Sequence, residues 1–339
     1  MPKTIGETIL QVENLQTELH TNMGVLRAVD GVSLSLRQGE TLGIVGESGC
    51  GKSMTALSIL GVVPKPAAHV VGGRVMFNGQ DLRTLSEQQM RRIRGGSISM
   101  VLQDPQTSLN PVYTIGSQVT EAIALHRDVP RRSLMARAIE ALRQVRVAAP
   151  EQRVKDYPHQ MSGGMKQRVS GAIAISCDPQ VLIADEPTTA LDVTIQSQYL
   201  RLLREIQEKT GLSIIFITHD FGIIASMCDT VAVMYAGRVV ESGPVRAVFD
   251  EPRHPYTRAL LNSVPTMDRN VKRLYSIPGQ PPALWDRPAG CWYRQRCPFA
   301  VPRCETLYPP AITAKGTGGS DHVANCWKLE DSTWITPKS

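Results

Sequence analysis

Eight consecutive residues, Gly46-Glu47-Ser48-Gly49-Cys50-Gly51-Lys52-Ser53, carry the strongest chemical signal in this chain. A short apolar run, Thr41 to Val45, leads into them, and a helical pattern begins near Lys52. Strand, glycine-rich turn and helix in that order make a loop whose backbone N–H groups converge with the positive end of the helix on phosphate oxygens. Lys52 is expected at the β- and γ-phosphates and Ser53 on Mg2+, with Met54 completing the binding segment. The bland alternative is a glycine-rich turn with an incidental lysine, and the flanking strand and helix argue against it. Alone, the loop implies a nucleotide and leaves open what its energy drives.

Two further groups suit the same chemistry. Val181 to Ala184 reads as a buried strand that delivers Asp185 and Glu186 together at its carboxyl end, the edge where α/β sheets bind ligands. Asp185 would hold Mg2+ directly or through water, because that ion prefers carboxylate and phosphate oxygens. Glu186 would orient and activate an attacking water. Ser162, Gly163 and Gly164 open another helix, which also carries Gln167, and so offer a second anion-binding helix start. One nucleotide has no evident need of both.

The elements that must position these groups follow from periodicity. Ile9 to Leu19 and Ala28 to Leu36 alternate apolar with polar residues, as paired strands with one buried face should, and Arg37-Gln38-Gly39 ends the second. A strand is expected at Gly73 to Phe77. Helical spacing takes over at Ser86 to Arg94 and from Tyr113 to Val147, a helical insertion. Strands at Val181 to Ala184, Ser213 to Thr218 and Val231 to Tyr235 then alternate with helices at about Met165 to Ser176 and Thr194 to Lys209, which implies a parallel, helix-covered sheet. Beyond Tyr256 prolines accumulate and an irregular module begins, with Gly316 to Ser320 read as a surface loop. No internal repeat is evident.

In type and order, the phosphate loop, Gln103, the Ser162-Gly163-Gly164 segment, the Asp185-Glu186 strand and His219 resemble the ATPase subunits of ABC transporters, over roughly residues 9 to 260. The resemblance implies an α/β P-loop NTPase core with a β-rich subdomain at its start and a helical insertion. It also implies composite sites, in which Ser162, Gly163, Gly164 and Gln167 of one subunit face ATP held by a second ABC ATPase subunit. By the same resemblance Gln103 would ligate Mg2+ and link it to the membrane subunits. His219 would bond the γ-phosphate, and Asp192 would lie at the subunit junction. Two departures stand out. The position expected to stack an aromatic ring on adenine is Leu19, with His20 beside it, and Met161 stands where leucine is usual, a change that conserves volume.

Four of the seven cysteines, Cys291, Cys297, Cys304 and Cys326, gather near the end of the chain. Four thiolates suit Zn2+ or an iron-sulfur cluster, and spacing does not separate the two; unliganded thiols are the bland reading. Trp292, Tyr293, Phe299 and Trp327 adjoin them and could wrap such a site in apolar rings. The His254 to Pro265 segment, the Ile277 to Pro282 stretch and these cysteines resemble the C-terminal extension of oligopeptide/dipeptide (peptide/nickel) importer ATPases. That implies a [4Fe-4S] cluster on the four cysteines, a structural staple for a lobe too small to build its own core. It also implies an ABC ATPase domain at 1–253, with a helical subdomain at about 104–170, and a metal-binding extension at 254–339. Cys50, near a helix start that favours thiolate, is expected to be reactive.

The bulk numbers agree with a globular chain, since 42% hydrophobic and 20% charged residues suit neither disorder nor a membrane-embedded protein. No apolar run approaches the ~18 residues of a membrane span, and Met1 to Ile9 lacks a secretory signal, so a cytoplasmic location is expected. A net charge of +6 spread thinly along the chain does not by itself call for nucleic acid, and none is expected as a partner. The implied partners are instead another ATPase subunit, expected to be an F-type paralogue, two transmembrane permease subunits and an extracytoplasmic substrate-binding protein. These would hold the chain peripherally on the cytoplasmic face of the inner membrane. A soluble ABC ATPase working on nucleic acid or ribosomes is the rival reading.

Overall fold

The computed structural model describes residues 5–22, 24–104, 108–189, 191–264, 275–283, 285, 288–313 and 322–330. The expected loop at 316–320 and Pro265 lie outside the described residues. Among the described residues, twelve strands follow one another: β1 (Thr8–Thr21), β2 (Gly24–Arg37), β3 (Thr41–Val45), β4 (Ala68–Phe77), β5 (Gln80–Asp81), β6 (Ile98–Val101), β7 (Val181–Asp185), β8 (Ser213–Thr218), β9 (Thr230–Tyr235), β10 (Arg238–Pro244), β11 (Ile312–Thr313) and β12 (Val323–Ala324). The chain divides into two compact units. One comprises Met1–Leu10, Ser35–Thr41 and Met76–Ile217; the other comprises Gln11–Leu34, Leu42–Val75 and Thr218–Ser339.

In the first unit β6, β7 and β8 pair in parallel, with Ile98 opposite Val181 and Val181 opposite Ser213. Every residue of β7 and β8 is buried, as continuous apolar runs in a covered parallel sheet require. The helical insertion comprises Ile115–His126, Arg131–Gln144 and the one-turn Pro150–Arg153, followed by Gly163–Ile175. Thr114 caps the first of these by accepting from the Ser117 amide at 3.3 Å. Ile115, Val119, Ile123, Ala138, Leu142, Val169 and Ala172 form its core, joined by Leu202 from the helix Val193–Thr210 and by Met161, which fills leucine's volume. Burying each large aliphatic side chain there contributes about 1.5–3 kcal/mol.

In the second unit β1, flanked by β2 and β4, supplies the alternating N-terminal sheet. Strand β3 pairs in parallel with β9, Leu42 opposite Thr230. Strand β9 turns into β10 through Ala236 and Gly237, both at positive φ (47° and 89°), the backbone of a tight two-residue hairpin. The C-terminal segment then enters the same sheet, as β12 pairs with β10 (Glu241 opposite Ala324) and β11 with β12. Tyr256, Trp292 and Tyr293 pack with Val231, Val233, Val240 and Val248 in one core. The C-terminal segment thus buries its aromatic rings against β9 and β10.

A buried carboxylate fixes that junction. Glu241, 1% exposed, accepts from the Arg253 amide at 2.7 Å and the His254 amide at 2.9 Å, and its Oε1 lies 2.7 Å from His322 Nε2. His254 in turn caps the helix Pro255–Asn262, its Nδ1 accepting from the Tyr256 amide at 3.1 Å. Burial lowers the His254 pKa to about 3. The unfolded chain takes up this proton below the ordinary histidine value while the folded chain refuses it until about 3, so stability rises with pH across that window. His254→Asn, which keeps a cap acceptor without the titration, is expected to flatten the pH dependence of unfolding between pH 4 and pH 6.5, by about 2 kcal/mol at pH 5, as read from denaturant midpoints.

Candidate nucleotide site

Strand β3 is wholly buried and hands the chain to Gly46 at the start of the phosphate loop. Crowding explains two of the glycines: a Cβ on Gly46 would lie 2.2 Å from the Met234 carbonyl oxygen, and one on Gly51 would lie 2.3 Å from that of Ala28. Gly51 also sits at φ 100° as the cap of the helix Lys52–Leu60. The β9–β10 hairpin supports the loop from below, the Gly237 amide donating to the Cys50 carbonyl at 2.9 Å. Ser48 and Gly49 are exposed, and Ser53 and Met54 are half-buried. Lys52 is buried, with Nζ donating to the carbonyls of Gly46 at 3.0 Å and Glu47 at 3.2 Å. A lysine held so close to a curl of backbone amides is placed to meet phosphate oxygens.

Cys50 departs from expectation. Its side chain is packed beneath Gly46, where an added Cβ would come within 2.8 Å of its sulfur. Burial raises the thiol to about 11, outweighing the nearby Lys52 charge. The helix start therefore does not make this cysteine a ready thiolate.

The carboxylates belong to the first unit. Asp185 ends β7 and is 4% exposed. Glu186 follows at φ 43°, a strained conformation for a side chain of this kind, pinned by its amide donating to the Ile217 carbonyl at 2.9 Å. Its Oε2 accepts from Gln103 Nε2 at 3.1 Å and from Thr189 Oγ1 at 3.0 Å. With its N–H turned to Glu186, the Gln103 amide keeps its carbonyl oxygen as a donor for a cation. Within the first unit Gln103 and Asp185 offer amide and carboxylate oxygens, which suit Mg2+.

Ser162 caps the helix Gly163–Ile175, accepting from the Met165 amide at 3.4 Å. Among the described residues a Cβ on Gly163 would meet nothing within 4 Å, so their packing gives no reason for glycine there. Gln167 is buried, and burial raises the hydroxyl pKa of Tyr199 to about 12. Asp192 caps the helix Val193–Thr210, accepting from the Ile195 amide at 2.9 Å. His219 is exposed in the turn after β8, where Asp220 caps the helix Phe221–Met227 through the amides of Gly222 at 2.7 Å and Ile223 at 3.3 Å. Leu19 is half-buried, and the exposed His20 ring packs edge-on against His69 with centroids 5.2 Å apart.

The metal site expected on the four C-terminal cysteines is not seen. Among the described residues no group of three or more His, Cys, Asp or Glu side chains is arranged to hold a metal ion. Burial raises Cys291 to about 11 and Cys326 to about 12. Two of the rings expected to wrap them serve as cation platforms instead. Trp292 faces the Arg238 guanidinium at 4.9 Å and Trp327 faces that of Arg303 at 3.5 Å, while Phe299 is exposed.

Residues 29–189 match the ABC transporter family, and residues 240–304 match the oligopeptide/dipeptide transporter C-terminal region. A probable peptide ABC transporter ATP-binding protein of Sinorhizobium fredii is 50% identical over 327 residues, 96% of each chain. The chain belongs to the ABC transporter family. The dipeptide transport ATP-binding protein DppD of Escherichia coli is 48% identical to this ABC ATPase, covering 89% of this chain and 92% of its own. Among solved structures, a dimeric post-hydrolysis state of the ATP-binding cassette MJ0796, bound to ADP and Pi, is 26% identical with a TM-score of 0.63, covering 70% of this chain and 99% of that one. The structure of cbiO1 from Clostridium perfringens is 31% identical with a TM-score of 0.61, covering 72% and 92%.

Sequence reasoning missed Thr189, which holds the Glu186 carboxylate, and Gly237, which supports the loop. Thr189 stands three residues from Glu186 and could have been flagged by that spacing; Gly237 carried no signal beyond a hairpin glycine. For Cys50 the physical outcome is plain: iodoacetamide at about pH 8 is expected to leave it unmodified in the folded ABC ATPase. Peptide mass spectrometry checks this, and labelling of Cys50 at the rate seen in urea would contradict it.

Proposed function

We propose that this ABC ATPase energises the import of peptides or a related small substrate. The observation that carries this is the combination of a complete set of nucleotide motifs with the peptide-transporter C-terminal region on a chain 50% identical to a probable peptide transporter subunit over 96% of its length. In this reading it sits peripherally on the cytoplasmic face of the inner membrane and docks on two permease subunits. It works with a second ATPase of the F type and receives substrate delivered by an extracytoplasmic binding protein. No observation favours the nucleic-acid reading.

The residues divide the work by chemistry. Lys52 and the loop amides hold the β- and γ-phosphates, while Ser53, Gln103 and Asp185 would hold Mg2+, which would offset charge on those phosphates. Glu186 accepts a hydrogen bond from the attacking water, held in aim by Gln103 and Thr189. His219 bonds the γ-phosphate. Gly163, open on its outer side, with Ser162 and Gly164 lets the helix start of one subunit approach ATP on its mate, and Asp192 lies at that junction. ATP would thus bridge two subunits, and hydrolysis would release them. Glu186→Gln is expected to cut ATP turnover by a factor on the order of 100 to 10,000 while retaining ATP binding. With ATP it should elute as a pair of cassettes in size-exclusion chromatography coupled to light scattering; a strictly single-copy particle with ATP bound, with and without the partner ATPase, would end this reading.

The finer proposal for Cys291, Cys297, Cys304 and Cys326 is a [4Fe-4S] cluster, with Zn2+ as the alternative. It is supported by the soft-donor chemistry of four thiols gathered in one segment of the sequence. Anaerobically purified protein is expected to contain iron and labile sulfide in equal amounts with visible absorbance; stoichiometric zinc and a colourless sample would defeat it.

A further inference from the structure

The proline-rich C-terminal segment reaches the phosphate loop through one side chain. Arg296 ends the one-turn helix Arg294–Arg296, which is flanked by Cys291, whose carbonyl accepts from the Arg294 amide at 3.1 Å, and by Cys297, whose amide donates to the Arg294 carbonyl at 3.1 Å. Its guanidinium forks onto the Glu47 carboxylate, Nη1 to Oε2 at 2.7 Å and Nη2 to Oε1 at 2.9 Å. Nε donates to the Pro278 carbonyl at 3.0 Å, and Nη1 to the Tyr235 hydroxyl at 3.4 Å. The Glu47 amide is held as well, donating to the Tyr256 hydroxyl at 3.0 Å. Tyr256 is itself wedged against Tyr235 and Tyr293, with centroids 4.6 Å and 5.4 Å away.

Glu47 is an odd residue for its place. A loop that must attract a polyphosphate carries a carboxylate at its second position, and an uncompensated negative charge there would repel the ligand. A bidentate arginine cancels that charge and fixes the carboxylate in one plane, which a lysine could not do as well. With both its carboxylate and its amide engaged, Glu47 has little freedom, and the orientation of the amides that follow it is restricted accordingly.

We propose that Arg296 is a positioning residue for ATP, neutralising and anchoring Glu47 so that the C-terminal segment sets the affinity of the phosphate loop. A merely structural ion pair would affect melting alone; this one also governs nucleotide affinity and its salt dependence. The test measures the dissociation constant for a fluorescent ATP analogue with Mg2+ on the full-length chain. Arg296→Met is expected to weaken binding about tenfold at ~50 mM salt and less at ~500 mM, where charge is screened. In a Glu47→Gln background the same substitution should change affinity less than about twofold, since no charge remains to neutralise. Arg296→Lys should recover part of the loss. The doubly neutral variant leaves no unpaired buried charge, so the comparison survives should Arg296→Met alone fail to fold by circular dichroism. Wild-type affinity in folded Arg296→Met, or tenfold weaker binding of the double variant than of Glu47→Gln, would overturn the proposal.

Discussion

A loop that offers backbone amides to phosphate has few left to hold itself together, only Cys50 to the Glu47 carbonyl at 3.3 Å among the described contacts within it, so much of its shape must be imposed by neighbours. Here that constraint is met by close packing of backbone on backbone: Gly46 lies against the Met234 carbonyl, Gly51 against that of Ala28, and the Gly237 amide reaches up to Cys50. Each contact leaves no room for a Cβ or uses a donor outside the loop. The buried strands β3 and β9, paired in parallel, set the height at which these contacts occur. Cys50 is small enough to fill the space beneath the curl, and the burial that makes it a good filler also keeps its thiol protonated.

The acidic half obeys a different economy. Glu186 adopts a left-handed backbone that costs on the order of 1–3 kcal/mol, and it persists because the Ile217 carbonyl, Gln103 and Thr189 over-determine its place. Strain and hydrogen bonding together aim a carboxylate that a relaxed strand end would leave free to rotate. The same logic of capping recurs at Ser162, Asp192 and Asp220, each of which starts a helix and thereby fixes the turn that carries a candidate site residue.

Local chemistry was the legible part of the sequence. The phosphate loop, the Asp185-Glu186 strand end and the Ser162-Gly163-Gly164 helix start are contiguous motifs, and strands such as β3 and β8 lie where apolar runs placed them. Strand β10 escaped notice because Arg238–Pro244 mixes charge, glycine and proline, and its pairing with β12 depends on a segment 81 positions away, the separation of the Glu241 and His322 contact. The partner of Glu47 was hidden for the same reason, since 249 positions separate it from Arg296 and neither residue is unusual alone. Cys50 was misjudged because a helix start was weighed and burial was not. The four cysteines could be counted in the sequence, whereas their arrangement depends on tertiary packing that spacing does not encode.

The brief pairing of Val323 and Ala324 with β10 has a bearing on how the chain behaves in crowded solution. Together with the Asn325 amide, which donates to the Val240 carbonyl at 2.8 Å, it covers a row of peptide groups that would otherwise stand open at the margin of the sheet. An open margin of that kind templates strand addition by other molecules. A chain that lost its last residues to a protease would therefore acquire a sticky rim, and polymerisation through that rim would compete with every productive assembly the intact molecule enters.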